Sequence, residues 1–297
     1  MHYGIKGLLA LLVAYFVFTA SNCEERIEFG LTAVDFTKEK RETLGDLLQQ
    51  TIETTPEEYT LLNRRSKRDS VIVTYLQTLY NQATQEIRQD RLATPSNRWD
   101  AARTWQVSVL DDDNRYAFSL PGGHFYVSTG FLSTLSTGYE MYYLMAFEAT
   151  NISGRYLIDN LLATYNTSTL FQLIETDPET IKPTLIEMTK TLRDELTFQD
   201  DIIREIDQET GELICQTSIF DRFGIQPILE KLSTQEQYRD TRPSYANRID
   251  FIAELPIEGC GTIKSTGLYE RMVLDNCLLY TSPSPRDRTR SRMPSSA

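Results

Sequence analysis

Apolar positions change their period along this chain, and the changes mark out its elements. From Ser70, Val71, Tyr75, Leu79 and Ile87 recur at near-helical spacing, which predicts a helix. Thr94-Pro95-Ser96-Asn97 breaks it. Trp105, Val107 and Val109 then alternate with polar Gln106 and Ser108, the period of a strand. Asp111-Asp112-Asp113-Asn114 reads as a solvated hairpin tip, since it lacks the spaced ligands and Glu of a calcium loop. Two more strands are expected over 116–120 and 125–128, around Pro121-Gly122-Gly123. Residues 139–160 are unusually apolar, with Met141, Tyr142, Leu144, Met145 and Phe147, as in a helix buried in a domain centre. Later helices are expected around 183–196, 198–223 and 227–232, and no internal repeat is visible. The pattern predicts one α+β domain over 70–276, with a central buried helix and a small sheet, large enough for a full core.

The ends of the chain read differently. Lys6 precedes an apolar run at 7–20, followed by Ser21-Asn22-Cys23, which predicts a secretory signal over 1–22. The run is short for a transmembrane span. The expected location is therefore exported, periplasmic or secreted. Contact with a membrane would come only through a lipid on Cys23; ordinary cleavage near Ser21 or Asn22 is the alternative. Residues 23–69 are polar and read as an N-terminal linker, with Arg64-Arg65-Ser66-Lys67-Arg68 either a solvated stretch or a processing site. At the far end, residues 277–287 and 291–297 read as the translation of a sequencing adapter. On that reading the natural sequence continues past about Asn276. The tail holds four Arg and one Asp, so the rest of the chain stands at −15 against −12 for the whole. Such an acidic chain lacks the clustered Lys and Arg that phosphate neutralisation needs, so no nucleic-acid partner is expected. Beyond the signal and before the tail, Cys215 and Cys260 either form a disulfide, which an exported compartment permits, or leave Cys215 a buried free thiol.

Several motifs fall in one order. Residues 117–130 read Ala-Phe-Ser-Leu-Pro-Gly-Gly-His-Phe-Tyr-Val-Ser-Thr-Gly. This resembles the Asn-Ala-Phe-x-Leu-Pro-Gly-Gly hairpin of the metallopeptidase family that includes HtpX, the CAAX prenyl proteases and periplasmic chaperone-proteases. In that family the hairpin precedes a helix bearing His-Glu-x-x-His. Here the pentad reads Phe147-Glu148-Ala149-Thr150-Asn151. Arg155-Tyr156 stands where the family reads Arg-His, and Gly224-Ile225-Gln226-Pro227 resembles its Gly-x-x-Pro. Arg242-Pro243 and Arg248-Ile249 resemble a His-Pro…Arg-Ile segment. The resemblance covers roughly residues 70–257 and implies a zincin-like metallopeptidase domain with a small edge sheet.

The departures fall on the chemistry. In the family motif two imidazoles one helical turn apart bind Zn²⁺, and the Glu between them is general base to the metal-bound water. Phe147 offers no lone pair, and Asn151 offers only a neutral carbonyl. Only His2 and His124 exist elsewhere, so no hidden histidine pair replaces the lost ones. Counting back from Gly224 puts Glu209 at the third ligand position, and Tyr116 replaces the Asn of the hairpin. The resemblance therefore implies an exported pseudopeptidase with no zinc, Glu148 a vestigial base, and Phe147, Asn151 and Glu209 degenerate ligand positions. Its partner would be a polypeptide or protein, bound in a chaperone-like or scaffolding role. Strand 125–128 is expected to be a sheet edge, so that Phe125, Tyr126, Val127 and Ser128 take an extended chain through main-chain hydrogen bonds. An active peptidase would instead need unusual oxygen ligands, Glu148, Asn151 and Glu209.

Overall fold

The computed structural model describes residues 36–62, 65–88, 102, 104–216, 248–255, 267 and 269–277. Within them the chain is a mixed α+β structure, mostly helical, with one three-stranded sheet. The signal segment, Cys23, Cys260, the expected helix at 227–232 and the adapter-like tail after Cys277 lie outside the described residues.

Helix α1 (Lys38–Glu53) corrects the reading of 23–69 as a linker. Thr37 caps it by accepting from Lys40 N, and Leu44, Leu48 and Ile52 form an apolar stripe buried in the core. The polar composition that suggested a linker is the helix's outer face. Helix α2 (Lys67–Ala83) begins before Ser70, because Ser66 caps it by accepting from Asp69 N. Lys67 and Arg68 thus belong to a helix, and Arg68 donates to the Asn276 carbonyl.

The strands are β1 (Gln106–Leu110), β2 (Ala117–Leu120) and β3 (His124–Ser128), in the order β1-β3-β2. β1 runs parallel to β3, with Val107 opposite Phe125; β2 runs antiparallel, with Phe118 opposite Tyr126. The acidic stretch is therefore not a hairpin tip. It joins β1 to β2 by crossing the end of β3. Asp112 O accepts from Gly130 N at 2.8 Å, and a Cβ on Gly130 would sit 2.1 Å from Asp113 O. Only glycine admits that crossing. The β2–β3 turn is as expected, with Gly122 and Gly123 at φ +83° and +99°, the region where glycine is favoured. α1 lies on this turn: a Cβ on Gly45 would meet the Pro121 carbonyl oxygen at 1.9 Å.

The apolar segment at 139–160 forms two helices rather than one. Central helix α3 (Gly138–Ser153) opens with a capping box, Thr137 accepting from Glu140 N and the Glu140 carboxylate accepting from Thr137 N. It stops at Gly154, and Arg155 takes the left-handed conformation (φ 68°) before α4 (Tyr156–Tyr165) begins. The Tyr156 ring lies 2.5 Å from where a Gly154 Cβ would be, which explains the glycine at the break. α5 (Thr167–Glu175), α6 (Pro178–Asp194) and α7 (Asp200–Gln216) follow, then α8 (Arg248–Glu254). α6 starts at Pro178, where a first-turn proline loses nothing, and carries Pro183 in its interior. α3 packs between α2 and α7, and β2 packs against α3 and α6.

Candidate functional site

On α3 the side chains of Tyr143, Phe147 and Asn151 recur every fourth residue, so they share one face. Across from it stands α7, whose inner stripe is Ile203, Ile206, Thr210 and Leu213, all fully buried. Asp207 lies within that stripe and is itself fully buried. A carboxylate there is costly unless it is paired. Arg248 of α8 supplies the cation: its Nε donates to Asp207 Oδ2 at 2.6 Å and a terminal nitrogen donates to Oδ1 at 2.7 Å. Tyr143 Oη donates to the same Oδ1 at 3.1 Å. The guanidinium carbon lies 5.0 Å from the centre of the Phe147 ring, within cation–π range. Arg248 is only 6% exposed. One buried cation thus holds α3, α7 and α8 together.

The other expected residues sit around this centre. Glu148 is fully buried and points about 100° round α3 from Phe147, away from the shared stripe. Asn151 is buried, and its Oδ1 has no hydrogen-bond partner among the described residues; the hydroxyls of Thr150 and Thr210 are in the same position. Glu209 follows Asp207 by two residues on α7, between Ile206 and Leu213 of the inner stripe, and its Oε2 is buried. The acidic residue at the centre is Asp207. Arg155 pairs with Asp159 at 3.6 Å on the outer side of α4. His124 lies in the β2–β3 hairpin, 3.6 Å from Asp46 of α1.

These residues do not fit zinc. Phe147 has no donor atom, and both oxygens of Asp207 are held by Arg248. Among the described residues no three His, Cys, Asp or Glu side chains come together as a metal site. A guanidinium beside the carboxylate adds repulsion for any divalent ion.

The expectation about β3 also needs correction. β3 is the middle strand, bonded to β1 on one side and β2 on the other. Phe125, Tyr126, Val127 and Ser128 are all buried, and burial pushes the Tyr126 hydroxyl well above the usual phenol range. No backbone edge remains on them for an added chain. The edges are β1 and β2. Along β1, the Gln77 side-chain amide takes the place of a neighbouring peptide: it donates to Trp105 O and accepts from Val107 N, both at 2.9 Å. Leu62 N and Thr60 O continue that cover, at 2.9 Å from Val109 O and 2.7 Å from Asp111 N. Along β2, Ser128 N donates to Tyr116 O, so Ala117 and Ser119 turn their backbone groups away from β3. Both are buried, and α6 lies against the strand.

Asp207 escaped the sequence reading, although a signal existed. It interrupts an apolar helical stripe, and a lone acid there calls for a buried cation. Arg248 was visible only as part of the resemblance. No protein-family model matches this chain, and comparison with curated proteins gives no match.

Proposed function

We propose that this chain is an exported, non-hydrolytic homologue of zincin-type metallopeptidases that works by binding polypeptide, in a chaperone-like or scaffolding role. The observation that carries the reading is the centre of the site. Where hydrolysis would need a metal and its activated water, Phe147 lies under a guanidinium that is locked to Asp207. Such a centre can hold helices together and cannot polarise a water as a metal does. The collinear hairpin and pentad motifs support descent from a peptidase, and the loss of both imidazoles supports a binding role.

The sheet limits how a polypeptide binds. β3 is closed, β1 is covered by Gln77, and β2 has no strand on the side away from β3 among the described residues. An extended segment would therefore add along Ala117 and Ser119, with α6 moving aside. The test is suppression of aggregation of a denatured client, with and without Ser119→Pro, which removes an outward N–H from β2. The reading expects wild type to hold the client, the variant to hold it less well, and neither to cut it. Metal-dependent cleavage of the client would contradict a non-hydrolytic role. Equal holding by both proteins would remove β2 from the account.

A further inference from the structure

We propose that Asn166 is an acceptor for an N-linked oligosaccharide when the chain is exported through a pathway that carries lipid-linked oligosaccharide. This assignment rests on the export reading and adds to it a modification site and the atom that is modified, Asn166 Nδ2. The sequence holds two Asn-x-Ser/Thr triplets, at 151–153 and 166–168. A glycan is bulky and belongs on the surface, so the fold decides between them.

Asn151 and Ser153 lie in the last turn of α3. Asn151 is 2% exposed, Ser153 is fully buried, and Ser153 Oγ donates to Ala149 O at 2.6 Å. A sugar on Asn151 would have to sit inside the core. Asn166 is placed in the opposite way. It is the single residue between α4 and α5, it is exposed, and it turns the chain at positive φ (54°). Ala163, Thr164 and Ser168 beside it are exposed as well. Its side chain caps α5: Thr169 N donates to Oδ1 at 2.9 Å, and Ser168 Oγ donates to the same oxygen at 2.8 Å. A peptide N–H can only donate, so the atom facing it is the amide oxygen and Nδ2 points the other way. Among the described residues no acceptor is bonded to Nδ2. The amide is thus divided, its oxygen holding a helix and its nitrogen left for chemistry. In the transfer Nδ2 bonds to the anomeric carbon of the oligosaccharide. The bond from that carbon to the lipid pyrophosphate breaks, the lipid pyrophosphate leaves with the electron pair, and Nδ2 gives up one of its two protons to a base of the transferase. Oδ1 remains an amide oxygen, so the cap on α5 survives the modification.

The experiment secretes the full chain from a eukaryotic host, once with residues 1–22 as leader and once with a host leader in their place. Peptide-N-glycosidase converts a glycan-bearing Asn to Asp as it releases the sugar, and mass mapping of the peptides finds the converted position. One glycan per chain is expected, with the conversion at position 166 and Asn151 unmodified. Ser168→Ala and Asn166→Asp must each lose the glycan. Both keep the Oδ1 that caps α5, so both are expected to fold, and circular dichroism checks this. A chain made with the host leader that carries no glycan, whether secreted or retained, would overturn the assignment. A glycan on Asn151 of the folded chain would overturn the choice between the two triplets. A glycan at position 166 with the host leader alone would leave Asn166 as the acceptor and overturn the export reading instead.

Discussion

Removing the Arg248 guanidinium should be among the most destabilising single changes in this protein. Arg248→Met keeps most of the side-chain volume and takes from the fully buried Asp207 carboxylate the guanidinium that both its oxygens accept from. The Tyr143 hydroxyl still donates to that carboxylate at 3.1 Å. Taking one member from a buried ion pair costs about 3–5 kcal/mol, because the other charge stays behind desolvated. The contact with Phe147, worth about 0.5–2 kcal/mol on its own, is lost within that total. For a domain of this size each kcal/mol moves the melting temperature by about 2–4 °C, so a fall of roughly 6–20 °C is expected. Urea denaturation followed by far-ultraviolet circular dichroism gives the free energy directly. The companion variant Asp207→Leu/Arg248→Met should regain most of the loss, since an apolar pair of similar volume often replaces a buried ion pair without penalty. What remains lost is the Tyr143 hydroxyl, about 1–3 kcal/mol if left unsatisfied. A loss of under about 1 kcal/mol for Arg248→Met, the size of a surface pair, would refute the argument.

Three further outcomes follow from the packing. Gln77→Leu strips the β1 edge of its side-chain peptide mimic and leaves Trp105 O and Val107 N buried without it, at a cost of about 1–3 kcal/mol; hydrogen exchange at the Val107 amide should speed up, and an unchanged rate would count against the edge-cap role. Gly45→Ala pits a gain of about 1 kcal/mol in helix propensity against a Cβ placed 1.9 Å from the Pro121 carbonyl oxygen; the contact wins, so the melting temperature must fall, and a rise would show that α1 does not press on the turn. Burial, and then the nearby Tyr139, push the Tyr75 hydroxyl from 10.0 up to about 12. A phenol whose folded pKa is raised contributes stability that is present below pH 10 and lost as pH climbs from 10 toward 12. Tyr75→Phe should flatten that alkaline slope, and an identical slope in both proteins would remove Tyr75 as its source.

How much of this was legible in the sequence depended on how local the signal was. β1 followed from its period-two alternation, and the β2–β3 turn from Pro121-Gly122-Gly123, because both are short-range effects. α1 was missed because its apolar stripe is thin, with Leu44, Leu48 and Ile52 set among charged residues. The break at Gly154-Arg155 was missed because the apolar pattern runs through it; the helix stops at Gly154, where the Tyr156 ring leaves no room for a Cβ, and Arg155 turns left-handed. Strand order was beyond local reading. The acidic crossover over β3 looks like a hairpin tip in sequence, and the parallel β1–β3 pairing moved β3 from edge to centre. In the site, the resemblance located Phe147, Glu148 and Asn151 on a buried helix. It implied Glu209 as the third ligand position; Asp207, two residues earlier on α7, is the acid paired with Arg248, a pairing across 41 residues that no local pattern shows.

The most direct test of a centre built on an internal cation is elemental analysis of the protein, purified without chelator and dialysed against buffer containing a low concentration of zinc. The account predicts that zinc stays far below one equivalent and that a quenched peptide library is not cleaved. About one zinc per chain retained through dialysis, the content of a working zinc hydrolase, together with chelator-sensitive cleavage, would contradict it.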